Sequence, residues 1–444
     1  MKEQIQLSDH FSYKRLIKFV IPSVVMMIFT SIYGVVDGIF VSNLVGKTQF
    51  AAVNLIFPLI MVLGGFGFML GTGGTAIVAK TLGLGERKRA NEYFTFIMLS
   101  TAVMGSVLGA LGILFADKVA VLLGAEGDLL NYAVEYSRVV LLGLPFFMMQ
   151  NTFQNFFVTA EKPKLGLCVT VIAGVTNIIL DGLFIGIFGW GLVGAAAATA
   201  TSQAVGGIIP IFYFSISKGA LIRFTKPRAY WRVLLQACFN GSSELMSNIS
   251  SSVVTILYNF QLLRFAGENG LAAYGAIMYV NFIFIAIFIG FVIGAAPIIS
   301  YHYGANNSDE LKSLRKKSVN LVLIVGGAMV AIALLLSVPL CKLFVGYDDT
   351  LYEITLRGYF IFAFSYLLTG FNIFGSSFFT ALNNGGVSAI ISFLRTLVFQ
   401  VAAILTLPEL LELDGVWLSV ILAELLSALV TTLFLVAKRK RYNY

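Results

Sequence analysis

Long apolar runs separated by short polar stretches recur from one end of the chain to the other. Most are twenty residues or longer, enough for a helix rising about 1.5 Å per residue to cross roughly 30 Å of hydrocarbon. Read between the polar interruptions, the pattern predicts twelve helices, near 15–43, 49–80, 91–115, 131–158, 164–188, 190–216, 232–264, 269–303, 317–341, 351–381, 386–407 and 415–437. The runs are continuous and rich in Gly, Leu, Ile and Phe. They lack the alternation and the roughly ten-residue length of membrane barrel strands. The expected fold class is an all-α integral membrane protein.

Composition agrees with the pattern. Of 444 residues 58% are hydrophobic and 12% charged, with a mean hydropathy of +0.89, whereas soluble domains carry about 25% charged residues. The basic residues then orient the helices. Of 30 Lys and Arg, 23 fall in the N-terminal segment, in the even-numbered loops with Lys80 at their edge, and in the C-terminal KRKR. An excess of Lys and Arg marks cytoplasmic segments, so both termini are expected inside a multi-pass protein of the bacterial plasma (inner) membrane. The net charge of +8 is thus read as topology and contact with anionic headgroups of the lipid bilayer, with no nucleic acid as partner. The three cysteines, Cys168, Cys238 and Cys341, offer no disulfide framework or metal spacing. No cleavable leader is expected, because the first apolar run is too long for one.

Sliding the sequence on itself reveals a repeat. At an offset of 221, ⁵⁰FAAVNLI⁵⁶ meets ²⁷¹LAAYGAI²⁷⁷, Gly46 meets Gly267, Gly73 meets Gly294, Gly83 meets Gly304, Asn151 meets Asn372, and ¹⁵⁹TA¹⁶⁰ meets ³⁸⁰TA³⁸¹. Six helices followed by six of the same orientation make two parallel six-helix bundles related by a pseudo-two-fold axis along the membrane normal. That architecture is found mainly in transporters. The basic stretch ²¹⁵SISKGALIRFTKPRAYWR²³² links the halves, giving lobes 1–222 and 223–444.

Ionisable residues inside the spans carry the candidate chemistry. In ¹⁷⁶TNIILDGLFIGIFG¹⁸⁹, Asp181 has no Lys or Arg within a dozen residues on either side, although a carboxylate at a helix centre costs roughly 2.5–3.5 kcal/mol to insert. Asn177 and Asp181, four apart, lie one turn above each other on one helix face. With Asp37 in the first span and Thr199 in the sixth, one lobe can gather two carboxylates, an amide oxygen and a hydroxyl. Such an oxygen set suits a hard cation, Na⁺ included. Two carboxylates sharing a pocket also repel, which favours taking up H⁺. At the 221 offset Asp37 corresponds to Tyr258, Asn177 to Val398 and Asp181 to Ala402, so the second lobe lacks the cluster. It has instead Glu244 in span seven, Arg395 in span eleven and Glu424 in span twelve. Counting residues from the span ends sets Arg395 and Glu424 at levels that long side chains can bridge, so they are expected to form a structural ion pair. Glu244 is left as a possible second-lobe binding group.

The segments ²¹IP²², ³³YGVVDGIFVSNLVG⁴⁶, ⁸³GLGERKRA⁹⁰, ¹⁵⁹TAEKPKLG¹⁶⁶, ¹⁷⁷NIILD¹⁸¹, ¹⁹¹GLVGAAAATATSQ²⁰³ and ³⁰⁰SYHYGA³⁰⁵, in this order and spacing, resemble the multidrug and toxic compound extrusion (MATE) transporters, bacterial type, over essentially the whole chain. The resemblance implies that Asp37, Asn177, Asp181 and Thr199 form a cation-coupling site, that Pro22 marks a bend in the first helix, and that Glu244 matches a seventh-helix glutamate used for binding in some members. The tenth span holds Asn372 but no aspartate to accompany Glu244, so the first lobe is expected to be the coupling centre.

The resulting expectation is a secondary active multidrug efflux antiporter. It would export amphiphilic, mostly cationic drugs or toxic metabolites against inward H⁺ or Na⁺, without a cofactor and as a monomer. Aromatic and Met residues suit an adaptable cavity, and Tyr258, Asn151 and Asn372 are named as candidates to line it. A lipid-linked saccharide flippase is the alternative, but it would want more intramembrane cations than Arg395. An enzyme is not expected, since no HExxH, GxSxG or clustered His and Cys is present.

Overall fold

The computed structural model describes residues 5–217 and 219–444, so Lys2 and Lys218 of the basic segments lie outside the described residues. Fifteen α-helices and no strand occur among the described residues: α1 Tyr13–Leu44, α2 Lys47–Gly83, α3 Arg87–Leu114, α4 Ala116–Leu122, α5 Gly127–Leu142, α6 Leu144–Thr159, α7 Pro163–Asp181, α8 Gly191–Ile216, α9 Trp231–Gly304, α10 Ser308–Val345, α11 Asp349–Ala363, α12 Tyr366–Ala381, α13 Gly385–Phe393, α14 Gln400–Ala437 and α15 Arg439–Tyr442. Several starts are written locally. Ser12, Asn307, Asp348 and Asn384 each accept the N–H three residues on, satisfying donors that a helix start leaves orphaned. Eight helical stretches are long and apolar enough to cross a membrane, or up to ten when each of two bent pairs counts as one span. Their outer faces carry Leu335, Leu433, Val436 and Phe212, all largely exposed, as lipid-facing surfaces should be.

Two very long helices each contain a reversal. In α9 Gly267 takes φ 59°, ψ −146°, a conformation open chiefly to glycine. A Cβ on Gly270 would lie 2.8 Å from the carbonyl oxygen of Leu262, whereas residues eight apart in a straight helix are about 12 Å apart. The chain therefore folds back there, at the predicted 264–269 boundary. In α14 the same occurs at Glu412 (φ 50°, ψ −131°), where a Cβ on Gly415 would sit 2.3 Å from the oxygen of Leu407. An Arg264–Glu409 ion pair ties the two reversals together. The stretches predicted as single helices near 131–158 and 351–381 are instead bent pairs, α5/α6 by 51° and α11/α12 by 48°. Runs of π-helix extend α7 through Gly182–Ile187 and separate α13 from α14 at Leu394–Phe399.

The halves of the chain meet closely toward the end that holds both termini. A Cβ on Gly83 would lie 2.1 Å from the oxygen of Tyr301, and one on Gly304 would lie 2.1 Å from that of Lys80. Further along, Gly73 crosses Ala237 and Gly241, while Gly290 and Gly294 lie against Val24 and Val20 of α1. Gly34, Gly38 and Gly275, farther from that end on the same spans, have nothing within 4 Å of such a Cβ. The helices thus close at one end of the molecule and part toward the other.

The residues before α1 form a strap across the closed end. Leu7 and Phe11 are fully buried. The Leu7 N–H donates to Glu161 Oε1 (2.7 Å), and the Phe11 N–H donates to Glu310 Oε1 (2.9 Å). His10 Nδ1 lies 2.6 Å from Glu310 Oε2, and Lys317 donates to the Phe11 carbonyl. A charged hydrogen-bond acceptor contributes about 1.5–3 kcal/mol, so Glu310→Ala is expected to speed amide exchange at residues 5–12 at least about tenfold. Hydrogen-exchange mass spectrometry reads this directly. Unchanged exchange would mean that Leu7 and Phe11 hold the strap by burial alone.

Candidate functional site

The first half of the chain builds its polar cluster from α1 and α7. Gly174 lets α7 press onto α1, for a Cβ there would meet Phe29 Cε1 at 2.5 Å and Tyr33 Cδ1 at 3.0 Å. One turn beyond Tyr33 comes Asp37; one and two turns beyond Gly174 come Asn177 and Asp181. The close approach sets these three side chains facing one another. Asp181 and Asn177 are 0% and 2% exposed. Oδ1 of Asp37, both carboxylate oxygens of Asp181 and Nδ2 of Asn177 are buried with no hydrogen-bond partner. An ionised carboxylate buried without partners is strongly disfavoured, so the cluster wants either a proton or a cation. Among the described residues no three His, Cys, Asp or Glu side chains converge as a metal cluster. With two carboxylates, the donor set fits a proton or a hard monovalent ion.

Thr199 on α8 is half-buried, and its carbonyl takes the Ser202 hydroxyl at 2.8 Å. Among the described residues no hydrogen bond links the Thr199 hydroxyl to the three side chains. Sequence reasoning missed one neighbour. Tyr136 on α5, 5% exposed, lies close enough to both aspartates to feel their charge. It does not stand out in the sequence, because a lone Tyr in a span is ordinary at helix contacts. Pro22 is buried within α1, which runs unbroken through it. Having no N–H, it leaves the Lys18 carbonyl without its helical donor, and a Cβ on Gly290 of α9 would come within 2.5 Å of Val24 in the same turn.

In the second half Arg395 holds Glu424 through Nε at 3.0 and 3.2 Å and Nη2 at 2.8 Å, with both side chains largely buried. Asn372 Nδ2 donates to Glu424 Oε2 at 2.6 Å and to its carbonyl at 2.9 Å. Glu424 is therefore well satisfied. Glu244 on α9 is half-buried and has no ion-pair partner among the described residues, although the Arg395 charge is close enough to act on it. Tyr258, 2% exposed, donates to Gln400 Oε1 at 3.0 Å. Asn151, 6% exposed, gives its carbonyl to Asn155 and leaves Nδ2 unpaired. Tyr258, Asn372 and Asn151 thus sit in helix-packing positions rather than on an open cavity wall.

The family model for MatE matches the chain twice, over residues 22–183 and 245–405. The chain belongs to the MatE family. It is a multi-pass membrane protein and a MATE-family transporter. It is 24% identical over 433 residues to "Multidrug export protein MepA" of Staphylococcus haemolyticus, covering 97% of this chain and 94% of that protein. The protein of the same name from Staphylococcus aureus is 24% identical over 436 residues, with the same coverage. Among solved structures, "Outward-facing conformation of a multidrug resistance MATE family transporter of the MOP superfamily" superposes with a TM-score of 0.93 at 23% identity over 99% of both chains. A MOP superfamily transporter from Pyrococcus furiosus, described by "reverse polarity of binding pocket", superposes at 0.91 and 23% identity over 100% of this chain and 99% of that one.

For this MatE protein the Arg395–Glu424 geometry makes a stability prediction. Lysine carries the same charge but cannot present a planar fork to a carboxylate. Arg395→Lys is expected to cost about 1–2 kcal/mol, the loss of one charge-assisted hydrogen bond with its partner left buried. Thermal unfolding in detergent measures it. An unchanged midpoint would mean that Asn372 alone satisfies Glu424.

Proposed function

We propose that this MatE protein is a secondary active multidrug efflux antiporter of a bacterial plasma (inner) membrane. In this reading it acts as a monomer and exports amphiphilic, mostly cationic small molecules in exchange for inward H⁺ or Na⁺. The observation that carries the reading is the facing pair Asp37/Asp181 beside Asn177, in which both Asp181 oxygens and Oδ1 of Asp37 are buried without a hydrogen-bond partner. A structural polar contact would leave its oxygens bonded, whereas a coupling site needs oxygens that an ion can take and give up. The multidrug-export names of the relatives favour the same function.

The architecture in this reading is twelve spans in two six-helix bundles, lobes 1–222 and 223–444. Dividing α9 at Gly267 and α14 at Glu412, and joining each bent pair, yields that number. The inter-helix crossings follow the 221-residue offset. Gly83 with Gly304 is one position meeting its own repeat, and its contacts, Tyr301 and Lys80, differ by the same 221. A parallel repeat puts such a self-paired crossing on its two-fold axis. The two stretches matched by the family model are displaced by nearly the same offset. The basic loops lie at the end where the termini fold, which favours a cytoplasmic assignment for that end.

Mechanism follows from charge. With the halves closed at the inner end, an outside ion reaches Asp37, Asp181, Asn177 and Thr199 and neutralises the pair. Neutralisation removes repulsion between α1 and α7 and biases the Pro22 turn of α1 against α9, so the drug-bound outward-facing lobes release their load. Ion loss to the cytoplasm resets the cycle. Only the ion's differential affinity for the two states can drive this. Glu244, close to the Arg395 charge, serves as a secondary binding group. The flippase alternative is disfavoured because Arg395 is already committed to Glu424. The test is efflux of a fluorescent cation from proteoliposomes under a pH gradient and a Na⁺ gradient imposed separately. Efflux under one gradient names the ion; efflux under neither refutes ion-coupled antiport.

A further inference from the structure

The closed end of the molecule has a groove between the halves that its repeat-related counterpart does not. The cavity, about 640 Å³, is walled by the end of α2, the start of α3 and the first turns of α9, with Asn383 at one side. Its apolar wall comprises Ile77, Leu84, Val233, Leu235 and Phe239, of which Leu84, Leu235 and Phe239 are more than half exposed. Two cations, Lys80 and Arg89, and one carboxylate, Glu86, line it, leaving a net positive charge. Arg89 pairs with Glu86 at 2.8 Å, while Lys80 has no carboxylate partner among the described residues and lies over the Tyr303 ring. A second cavity of about 490 Å³ shares Arg89 and Tyr93 with the first and adds Lys88, Tyr230 and the Arg228–Glu92 pair.

Applying the 221-residue offset to this groove locates its counterpart. Ile77, Lys80, Thr81 and Arg89 correspond to Ile298, Tyr301, His302 and Glu310. There the N-terminal strap fills the space: Leu7 and Phe11 are buried in one cluster with Ile298, Phe11 meets the His302 ring edge-on, and His10 with the Phe11 N–H satisfies Glu310. The plug is an apolar segment with a polar group suited to an anion. At the open groove the charge is reversed, with Arg89 where Glu310 stands. The linker after α8 buries Ile222 in the cluster that holds Ile77 and bonds α3 through the Arg223 and Thr225 N–H groups, but none of its described residues lines the groove. The missing plug should therefore be apolar with an anionic head. At the inner membrane edge that describes a lipid, and basic pockets between spans on this side are where anionic headgroups bind.

We propose that the groove between α2, α3 and the start of α9 binds an anionic phospholipid of the inner leaflet. Lys80 and Arg89 face its phosphate, and its acyl chain lies along Leu84, Leu235 and Phe239. Because the groove touches both halves, the lipid favours the arrangement in which this end is closed. The proposal rests on membrane insertion and on the cytoplasmic assignment of the closed end, and holds whatever the transported substrate.

Native mass spectrometry of the full-length protein with phosphatidylglycerol and with phosphatidylcholine tests the site. Phosphatidylglycerol should be retained preferentially, and K80Q/R89Q should bind it about thirtyfold more weakly, each cation contributing about a fivefold factor. The exposed pair K164Q/K316Q, elsewhere among the basic loops, should bind as wild type does. If K80Q/R89Q is recovered poorly, K88Q/R228Q in the adjoining cavity should still weaken retention severalfold. Equal retention of the two lipids by wild type, or equal phosphatidylglycerol retention by all variants, overturns the proposal. So does competition by millimolar inorganic phosphate, which would make the site one for a soluble anion.

Discussion

Asp181→Asn is expected to cut ion-driven efflux at least about tenfold while leaving the thermal stability of the protein unchanged or slightly raised. The two parts of this expectation separate the functional role of Asp181 from a structural one. Asparagine keeps the volume and one acceptor oxygen of aspartate but no longer gains or loses charge with an ion. Its differential affinity for the ion-bound and ion-free states, worth about 1.4 kcal/mol per tenfold of coupling, is then lost. Stability should not fall, because both Asp181 oxygens are buried without a partner and removing an uncompensated buried charge relieves a cost. Asp37→Asn should behave alike, and the double variant should lose little more than either single one if the pair works as a unit. The measurement is dye efflux from proteoliposomes beside an unfolding curve. Full efflux in Asp181→Asn would exclude this residue from coupling and turn attention to Glu244. Lost efflux with a lowered melting point would mean a structural contact.

Much of the fold could be read from the chain because hydrocarbon permits little else. Apolar length sets where helices run, and a break in apolar length at 264–269 coincides with the reversal at Gly267. The two bends differ: ¹⁴²LGLP¹⁴⁵ carries a local signal in Pro145, which starts α6 and cannot continue α5, although hydropathy runs through it. By contrast ³⁶³AFSY³⁶⁶ interrupts neither hydropathy nor length, and a bend there depends on what packs beside it. Candidates for the polar cluster were visible because a carboxylate with no basic neighbour is costly in a span. Tyr136 was invisible because it enters from α5, whose placement depends on tertiary packing. The strap was invisible for a different reason. ⁵IQLSDHF¹¹ reads as a polar leader, and only the presence of Glu161 and Glu310 at the closed end explains the burial of Leu7 and Phe11.

Gly73→Leu and Gly241→Leu are expected to reduce transport at least about tenfold without touching any polar residue. The α2–α9 crossing is made backbone to backbone: a Cβ on Gly73 would lie 2.0 Å from the Ala237 oxygen, and one on Gly241 would lie 1.9 Å from the Met69 oxygen. No rotamer relieves such a clash, so the helices must separate, and overpacking of this kind costs about 1–3 kcal/mol or more. The repeat supplies an internal comparison. By the 221 offset the related crossing is Gly294 with Val20, where the nearest approach is 2.8 Å, to the Val20 side chain. The approach at Gly294 is looser than the 2.0 Å at Gly73, so Gly294→Ala should be tolerated better than Gly73→Ala. Because the clash strikes only where the halves meet at the closed end, it disfavours one state of an alternating cycle more than folding itself. Cys238, half-buried beside Ala237, reports this in a Cys168→Ser/Cys341→Ser background. A membrane-impermeant thiol reagent applied from the side of the termini should label it faster in Gly73→Leu than in the parent. Wild-type transport together with unchanged labelling would show that the crossing loosens without cost and that the closed end does not gate the cycle.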